Sequence, residues 1–485
     1  CVPIIHHTGG LHKVWDSLED VGIFIDPRKR ALVCIALFIA VFGCNFSFRS
    51  YSVALPKIVE NWTYSANLYS AGNSLMTVAM TIVTLIVVRI SAKTGLKKTI
   101  IAGLLIVLVC DILTMLAPNI IVFLIIRVFY GVGCGLICGQ ELSSLNLIWP
   151  SADRKKWVGY RGVTYSVTNI IGPTVAGLLV DHFGWRSTFW TIFAFHLAGL
   201  AIFAICCPKD TKNRFYKDTP FDSAGCALFI LFIAVATSVC TLGNTLGWSS
   251  PIIVIGLLIV VSSLVSLLVI ENRKGTSALL PMDLYKRNAN FTKLFFIAVF
   301  GCIVNMAPVN FLSLYLQKIG GTSATASGLP FSLIYLVTLF FTFVISRING
   351  LKPKKVLVFS SFVCMIVIGI LAFWLAPTVG EHLTIMNLIA ACYGVGNAIT
   401  TTTIYDAAAE YVDTADIGMA TSLVYMGITF GGSVGLAILQ LIMNTVTAST
   451  GDLGLGIKGL FWGSFTAAVI MTILTVSLRD KKKAD

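Results

Sequence analysis

Charged side chains are scarce in this sequence. Asp, Glu, Lys and Arg make up 12% of the 485 residues, whereas a soluble globular chain carries about a quarter. Apolar residues make up 56% of the chain, and the mean hydropathy is +0.88. The apolar residues fall in runs of about 20, the length that crosses the hydrocarbon core of a bilayer. The composition therefore excludes a soluble protein and predicts an integral membrane protein, which we expect in the plasma (inner) membrane.

Signatures of catalysis are missing from the sequence as well. It contains no phosphate-binding P-loop and no hydrolytic triad, and its 13 cysteines show no spacing typical of a metal site. We therefore expect neither an enzyme nor ATP-driven transport, and no cofactor. The net charge of +13 resides mainly in short loops rather than in a nucleic-acid-binding patch. The expected partners are the lipid bilayer, a small-molecule substrate and protons, with the chain as a monomer.

Fourteen apolar runs are long enough to span a bilayer. We predict that each is a helix, because a helix satisfies its own backbone hydrogen bonds in lipid. One alternate set of loops contains 26 Lys and Arg and the other set contains four, so the positive-inside rule places both termini in the cytoplasm. The predicted spans are 31–58, 66–90, 99–117, 120–144, 158–180, 187–207, 224–244, 251–270, 291–317, 326–348, 356–376, 384–410, 418–443 and 459–478.

Short matches recur along the chain at a nearly constant offset. FGC at 42–44 reappears at 300–302, an offset of 258, and YGVG at 130–133 reappears at 393–396, an offset of 263. Such spacing indicates an internal duplication. Spans 1–6 and 9–14 are therefore predicted to form two related six-helix bundles, with spans 7 and 8 as an inserted two-helix hairpin.

This organisation divides the chain into five segments. They are a cytoplasmic N-terminal arm (1–30), an N-terminal bundle (31–207), a central loop with the inserted helices (208–290), a C-terminal bundle (291–478) and a basic cytoplasmic tail (479–485). Residues 1–27 lack a basic stretch followed by an apolar core, so we expect no cleavable signal peptide. Because the chain begins with Cys1, we expect a truncated or shifted start.

Motifs rich in glycine carry a family resemblance. The loop after span 2, VRISAKTGLKK, is similar to Gly-x-Leu-Ala-Asp-Arg-x-Gly-Arg-Lys, span 4 carries Arg-x-x-x-Gly-x-Gly, and span 5 is similar to Gly-Pro-x-x-Gly-Gly. The matching positions are Gly95, Lys97, Lys98, Arg127, Gly131, Gly133, Gly172, Pro173 and Gly177. From about 31 to 478 the chain resembles a major facilitator superfamily transporter of the fourteen-span group related to drug:proton antiporters. The resemblance implies the major facilitator fold, with these positions as conformational motifs.

Two departures from the family pattern concern acidic residues. The aspartate of the loop motif is replaced by Ala92. In span 1 the drug-exporting relatives read Leu-Asp-x-Thr-Ile-Val-Asn-Val-Ala-Leu-Pro, and this chain keeps VALP but has Ser47 at the aspartate and Arg49 at the threonine. An acid is absent and a base is present, which is unfavourable for the export of cationic drugs.

Arg49 interrupts an apolar span, where a guanidinium costs about 2.5–3.5 kcal/mol at the helix centre. Asp111 and Arg127 lie at a similar depth on consecutive antiparallel spans, so their side chains can form an ion pair. Arg49 is then without an acidic partner. Arg49 then either meets an anionic substrate group, which a planar guanidinium grips with two hydrogen bonds, or shares Asp111 or snorkels outward. The matching spans 1 and 9 add neutral candidates for substrate binding, or for helix–helix contacts, which are Asn45, Tyr51, Asn305 and Asn310.

Proton coupling requires a group that titrates within the membrane. The candidates are Asp111, Glu141 and His196, with a packed core histidine as the alternative for the last. Glu141 and Arg161 lie near the inner ends of spans 4 and 5, where we expect them to form either a gate pair or an interfacial ion pair.

These observations predict a secondary transporter that moves an amphipathic organic solute by alternating access, coupled to protons. Arg49 favours an organic anion, such as a bile-acid-like or aromatic carboxylate. A multidrug:proton antiporter is the alternative, and uptake and efflux both remain open. The two related six-helix bundles favour a transporter over a non-transporting sensor or a channel.

Overall fold

The computed structural model describes residues 27–62, 71–149, 151–208, 223–274, 282–347, 352–374, 382–412 and 417–479. The predicted N-terminal arm and basic tail lie outside these residues, apart from 27–30 and Arg479. The described chain is helical throughout, with fourteen helices of 21 residues or more and one short helix. Twelve of the long helices contain a described segment that is long and apolar enough to cross a membrane.

The helices form two bundles and a hairpin. The N-terminal bundle consists of α1 (Pro27–Trp62), α2 (Ala71–Thr94), α3 (Leu96–Leu116), α4 (Ile120–Ile148), α5 (Ser151–Phe183) and α6 (Arg186–Cys206). The hairpin consists of α7 (Ser223–Leu246) and α8 (Pro251–Lys274), and the short α9 (Met282–Arg287) follows it. The C-terminal bundle consists of α10 (Ala289–Lys318), α11 (Ala324–Arg347), α12 (Pro353–Trp374), α13 (Leu383–Tyr411), α14 (Ile417–Thr450) and α15 (Leu453–Val476).

Each predicted span coincides with one long helix, which confirms the all-helical fold. Several helices extend beyond the predicted limits. For example, α5 begins at Ser151 rather than 158, and α14 continues to Thr450 rather than 443. Hydropathy detects only the lipid-facing length of a helix, whereas polar turns at either end continue the same hydrogen-bond pattern. The short α9 was not predicted, because six polar and apolar residues carry no span signal.

Local sequence explains several helix starts. The side chains of Asn119, Asn288 and Asp452 accept hydrogen bonds from backbone N–H groups in the first turns of α4, α10 and α15, as N-cap residues do. Gly95 separates α2 from α3 with φ 98°, a left-handed conformation that favours glycine. The chain therefore turns sharply there and starts the next helix at once.

The packing of the two bundles follows one scheme. In the N-terminal bundle α1 packs on α5 and α6, α2 on α4, and α3 on α4 and α6. In the C-terminal bundle α10 packs on α14 and α15, α11 on α13, and α12 on α13 and α15. Each pairing in one bundle has its counterpart nine helices later. The predicted duplication thus reappears as a repeated packing arrangement.

The bundles meet mainly along three helix pairs, α5 with α11, α2 with α14 and α1 with α10. Glycine permits the first approach. A Cβ on Gly177 would lie 2.5 Å from Thr325 Cα, and one on Gly328 would lie 2.7 Å from the Pro173 carbonyl oxygen. Both distances are too short for any side chain, so the sequence at this crossing keeps the backbones in contact.

The hairpin lies against the second pair. α7 packs on both α2 and α14, and its Phe229 and Phe232 contact Phe430 of α14 with ring centroids 5.9 and 6.1 Å apart. Val78 of α2 belongs to the same small apolar core. The inserted helices therefore cover one side of the cleft between the bundles without entering either bundle.

The two ends of the molecule differ. At the terminal end, where α1 begins and α15 ends, Asn290 donates to the Arg479 carbonyl at 2.8 Å within the C-terminal bundle. At the opposite end, which we call the closed end, Lys318 Nζ lies 2.7 Å from Glu60 Oε1 across the two bundles. Among the described residues, hydrogen bonds between the bundles lie at the closed end and near the middle of the molecule, and they hold the bundles together there.

Candidate functional site

A cavity of about 340 Å³ lies between the bundles, lined mostly by the C-terminal one. Its polar lining includes one cationic side chain, three tyrosines, two asparagines and two threonines, and the remainder is apolar or small. Among the described residues no acidic side chain lines it. The polar lining residues are Arg49, Tyr165, Asn305, Tyr335, Tyr393, Asn397, Thr400 and Thr401.

The guanidinium of Arg49 is positioned but not neutralised. Its Nε donates to Asn169 Oδ1 of α5 at 2.8 Å, and its Cζ lies 4.7 Å from the ring centroid of Tyr335 on α11. Its Nη1 is buried and makes no hydrogen bond with the residues that the structure describes. No carboxylate in this part of the chain lies within ion-pair distance of it. The Asn169 hydrogen bond and the Tyr335 ring therefore hold the guanidinium at the cavity wall, with no described carboxylate to neutralise it.

A second polar cluster adjoins the cavity between α4 and α5. Glu141 is fully buried, and its Oε2 accepts hydrogen bonds from Arg161 Nε at 2.8 Å and from the Tyr165 hydroxyl at 3.1 Å. Tyr165 also lines the cavity, so it joins the ion pair to the binding space. Glu141 and Arg161 thus form an ion pair in which the carboxylate is buried and the guanidinium is partly exposed.

A third cluster lies inside the N-terminal bundle. Asp111 Oδ2 is 2.7 Å from His196 Nδ1, and both side chains are buried. Gly43 of α1 makes room for the imidazole, because a Cβ there would lie 2.7 Å from His196 Nε2. The expected pairing of Asp111 with Arg127 is thus corrected. Depth along a span does not specify which face of a helix a side chain occupies.

Neutral groups hold the buried Arg127 instead. Its Nη1 donates to Ser47 Oγ at 3.0 Å, its Nη2 donates to Asn73 Oδ1 at 2.9 Å, and its Cζ lies 4.8 Å from the Tyr51 ring centroid. Ser47 stands where drug-exporting relatives have aspartate, so this position still contacts the arginine of span 4. Hydrogen bonds and the aromatic face partly offset the cost of burying the charge.

A family model described as Major Facilitator Superfamily matches residues 37–436 of this chain. The chain belongs to the Major Facilitator Superfamily. It is accordingly an integral membrane transporter and not an enzyme.

Relatives of this protein include proteins named for multidrug transport and multidrug resistance. Multidrug transporter protein MdtP of Bacillus subtilis (strain 168) is 26% identical over 435 residues, which are 86% of this chain and 76% of that protein. Multidrug resistance protein Stp of Mycobacterium tuberculosis (strain ATCC 25618 / H37Rv) is 23% identical over 435 residues, which are 87% and 78%.

A solved facilitator structure shares the fold. It is that of a bacterial homolog to the human lysosomal transporter Spinster, inward-facing and unoccupied, with a TM-score of 0.61 and 15% identity. The match covers 93% of this chain and 96% of that one.

The substrate-binding candidates fall in three places. Arg49 and Asn305 line the cavity, and Asn305 donates to Asn397 there at 2.8 Å. Asn310 instead accepts a hydrogen bond from Ser52 between the bundles. The other two, Asn45 and Tyr51, are absent from the cavity lining: Asn45 donates to the Val41 carbonyl of its own helix at 2.9 Å, and Tyr51 lies against Arg127.

Most conformational-motif residues of this facilitator occupy close helix contacts. A Cβ on Gly131 would lie 2.3 Å from the Met76 carbonyl oxygen, and one on Gly133 would lie 2.7 Å from Val107. By contrast, a Cβ on Gly172 would only touch Arg49 Cβ at 3.6 Å. Lys97 donates to the Ala204 and Cys207 carbonyls at the end of α6, whereas Lys98 is exposed.

Sequence reasoning missed the residues that position Arg49. Asn169 lies three residues before Gly172 on α5, and Tyr335 lies on α11. A polar residue inside an apolar span was the only available signal for Asn169. Tyrosines are common in membrane helices, so nothing in the sequence separated Tyr165, Tyr335 and Tyr393 from the others.

Proposed function

We propose that this facilitator is a secondary transporter of an amphipathic organic anion, coupled to protons through alternating access. The observation that carries the proposal is the guanidinium of Arg49, which lines the cavity and has no carboxylate within ion-pair distance among the described residues. A buried cation without a counterion is costly, and an anionic guest offsets that cost.

The cavity lining supports an amphipathic guest. Apolar and small residues surround most of the space, while tyrosine, asparagine and threonine supply neutral hydrogen bonds. Such a lining binds an apolar body and leaves the orientation of the guest to a few polar contacts. An aromatic or bile-acid-like carboxylate combines these properties, with its anionic group at Arg49.

Multidrug efflux is the second candidate function. It is supported by the names of MdtP and Stp, both of which match most of this chain. A cationic drug, however, would meet Arg49 and no acidic side chain in the described lining. The two functions therefore differ in the charge of the preferred solute. We further propose that the protein works as a monomer in the plasma (inner) membrane, with both termini in the cytoplasm.

Transport in proteoliposomes tests the proposal. The full chain is reconstituted, and uptake of naphthalene-2-sulfonate is compared with uptake of tetraphenylphosphonium. The anion should be preferred, and Arg49→Ala should weaken its apparent affinity about 10- to 150-fold, as expected for about 1.5–3 kcal/mol of charge-assisted hydrogen bonding. Arg186→Ala is the matched control, because Arg186 contacts the Met115 carbonyl away from the cavity. Preferred transport of the cation, unaffected by Arg49→Ala, would establish the efflux alternative.

The proton carrier is proposed to be among Asp111, Glu141 and His196. All three are buried and bonded, Asp111 with His196 and Glu141 with Arg161. Replacing each singly by Asn or Gln should identify the group whose loss abolishes the response of transport to an imposed pH gradient. If all three variants keep that response, the carrier lies elsewhere.

A further inference from the structure

Glu141 uses its two carboxylate oxygens unequally. Oε2 accepts both hydrogen bonds, from Arg161 and from Tyr165. Oε1 is buried and accepts no hydrogen bond from the residues that the structure describes. One proton can therefore form an O–H bond at Oε1 without displacing either donor from Oε2. The source of this proton is bulk water.

Tyr165 connects this carboxylate with the cavity that contains Arg49. A phenol hydroxyl has one hydrogen to donate, so Tyr165 serves either Glu141 or a guest in the cavity. While Glu141 is ionised, the charged acceptor retains that hydrogen, because charge-assisted hydrogen bonds are about twice as strong as neutral ones. Protonation of Oε1 removes the charge and frees the hydroxyl for an anion.

Protonation of Glu141 also makes the site more positive, which favours an anion. Ionised Glu141 neutralises Arg161, which leaves the cation of Arg49 alone facing the cavity. Protonated Glu141 leaves two uncompensated arginines, and both attract an anion. Among the described residues, the other titratable groups close to this cluster are Tyr425 of α14, Cys138 of α4 and Tyr405 of α13.

We infer that Tyr165 is a positioning residue that couples protonation of Glu141 to binding of an anion at Arg49, so that proton and anion are carried together. This inference rests on the proposed function and specifies symport for it. Two ligands that each favour the binding of the other move in the same direction, whereas antiport requires each to displace the other. Glu141 is the proton acceptor of this scheme, and the Asp111–His196 pair is not needed.

The test measures binding against pH with a probe that does not titrate. Naphthalene-2-sulfonate stays ionised, so any pH dependence belongs to the protein. Isothermal titration calorimetry on the purified full chain should show affinity rising as the pH falls from about 8.5 to 5.5, by at most about tenfold per pH unit for one linked proton. In Glu141→Gln, which carries a neutral side chain throughout, the affinity should be high and independent of pH.

The variant Tyr165→Phe tests the contribution of the tyrosine hydroxyl by itself. It should lose most of the pH dependence and keep a remainder that reflects the charge of Arg161. Tyr393→Phe removes a hydroxyl from the same cavity and, whatever its effect on affinity, should retain the pH dependence of the unmodified protein. An unchanged pH dependence in Tyr165→Phe, or affinity that falls on acidification, overturns the inference.

The same titrations separate this inference from the proposed function. If the sulfonate binds through Arg49 but without any pH dependence, the coupling is wrong and the anion transporter remains. If Arg49→Ala binds the sulfonate as tightly as the unmodified protein, the anion site itself is wrong, and the coupling that rests on it is overturned too. Uptake into vesicles with an alkaline interior should exceed uptake without a pH gradient, and equal uptake contradicts symport.

Discussion

Asp111 and His196 form a buried pair in which each side chain provides the hydrogen-bond partner of the other. The 2.7 Å contact joins α3 to α6, and neither side chain reaches water. Removing one partner leaves the other buried without its hydrogen bond, which is more costly than replacing both. The pair therefore stabilises the N-terminal bundle only as a unit.

Asp111→Ala should lower the free energy of unfolding by about 2–5 kcal/mol, because it leaves His196 without its acceptor. Thermal unfolding of the purified protein in detergent measures the change. Asp406→Ala is the control, since Asp406 is an exposed acid on α13 and should change stability by less than about 0.5 kcal/mol. Equal stability of the two variants would contradict a structural role for the buried pair.

At the scale of single residues the sequence predicted which side chains matter better than it predicted their partners. Arg49 was recognisable because a cation inside an apolar run is costly. Its contacts with Asn169 and Tyr335 were not, since both lie on other helices and depend on how those helices rotate. Asp111 shows the same limit, because it bonds to His196, whereas the expected partner Arg127 bonds to Ser47 and Asn73.

The crossing of α5 and α11 is the element-scale contact most sensitive to side-chain size. Gly177 packs directly against the backbone of Thr325 at the N-terminus of α11. Backbone cannot rotate away as a side chain does. Any Cβ here must therefore push the two helices apart, and with them the two bundles.

Gly177→Ala should reduce transport and open the α5–α11 crossing, because the new Cβ would lie 2.5 Å from Thr325 Cα. Gly162→Ala on the same helix is the matched control, since a Cβ there meets nothing within 4 Å. The control should keep transport and gain up to about 1 kcal/mol of helix stability. Uptake assays with both variants measure the difference, and equal activity would mean that the crossing tolerates separation.

Helices were the most predictable elements, for a physical reason. In lipid every backbone group must be paired within its own segment, so an apolar run of sufficient length has one solution. The rule predicted a helix at each of the fourteen positions where the structure has a long helix, and twelve of these contain a described segment that is long and apolar enough to span a membrane. The position of the hairpin does not follow from the rule, because the contacts of Phe229 and Phe232 with Phe430 are made between segments about 200 residues apart.

Contacts at the closed end help to hold the whole molecule in one conformation. Asp181 at the end of α5 accepts hydrogen bonds from the backbone N–H groups of Ala324 and Thr325, at 3.1 and 2.8 Å. The N-cap residue of α11 is Ser323, and Asp181 of the other bundle adds a second capping acceptor to the same helix end. This second cap exists only while the bundles touch, so it stabilises this conformation relative to one that is open at the same end.

Asp181→Ala should shift the equilibrium towards opening at the closed end. Loss of the Asp181 capping hydrogen bonds should cost about as much as loss of an N-cap, about 0.5–2 kcal/mol, which corresponds to a population change of about 2- to 30-fold. Pulsed EPR distances between labels on Ile121 and Leu455, which are exposed residues of the two bundles near this end, measure the shift. A distance distribution identical to that of the unmodified protein would show that the cap does not contribute to closure.

The Glu60–Lys318 ion pair adds a pH dependence to the same equilibrium. The hydrogen bond from Lys318 lowers the pKa of Glu60 below its ordinary value of 4.5, with a smaller contribution from Lys57 and against the opposing effect of burial. An acid with a lowered pKa stabilises the closed end above its ordinary pKa and loses that contribution as the pH falls through the lowered value. Because the carboxylate is 48% exposed, the contribution is at most about 1 kcal/mol and decreases with salt.

Acidification from about pH 6 to pH 3 should therefore lengthen the Ile121–Leu455 distance in a minor fraction of molecules, more at low than at high ionic strength. Glu60→Gln should show that fraction already at pH 6 and respond less to acid. Asp181 remains in this variant and can titrate, so a residual response is expected, and the double variant Glu60→Gln, Asp181→Asn should remove it. If Glu60→Gln responds to acid and salt as fully as the unmodified protein, the ion pair does not contribute to closure.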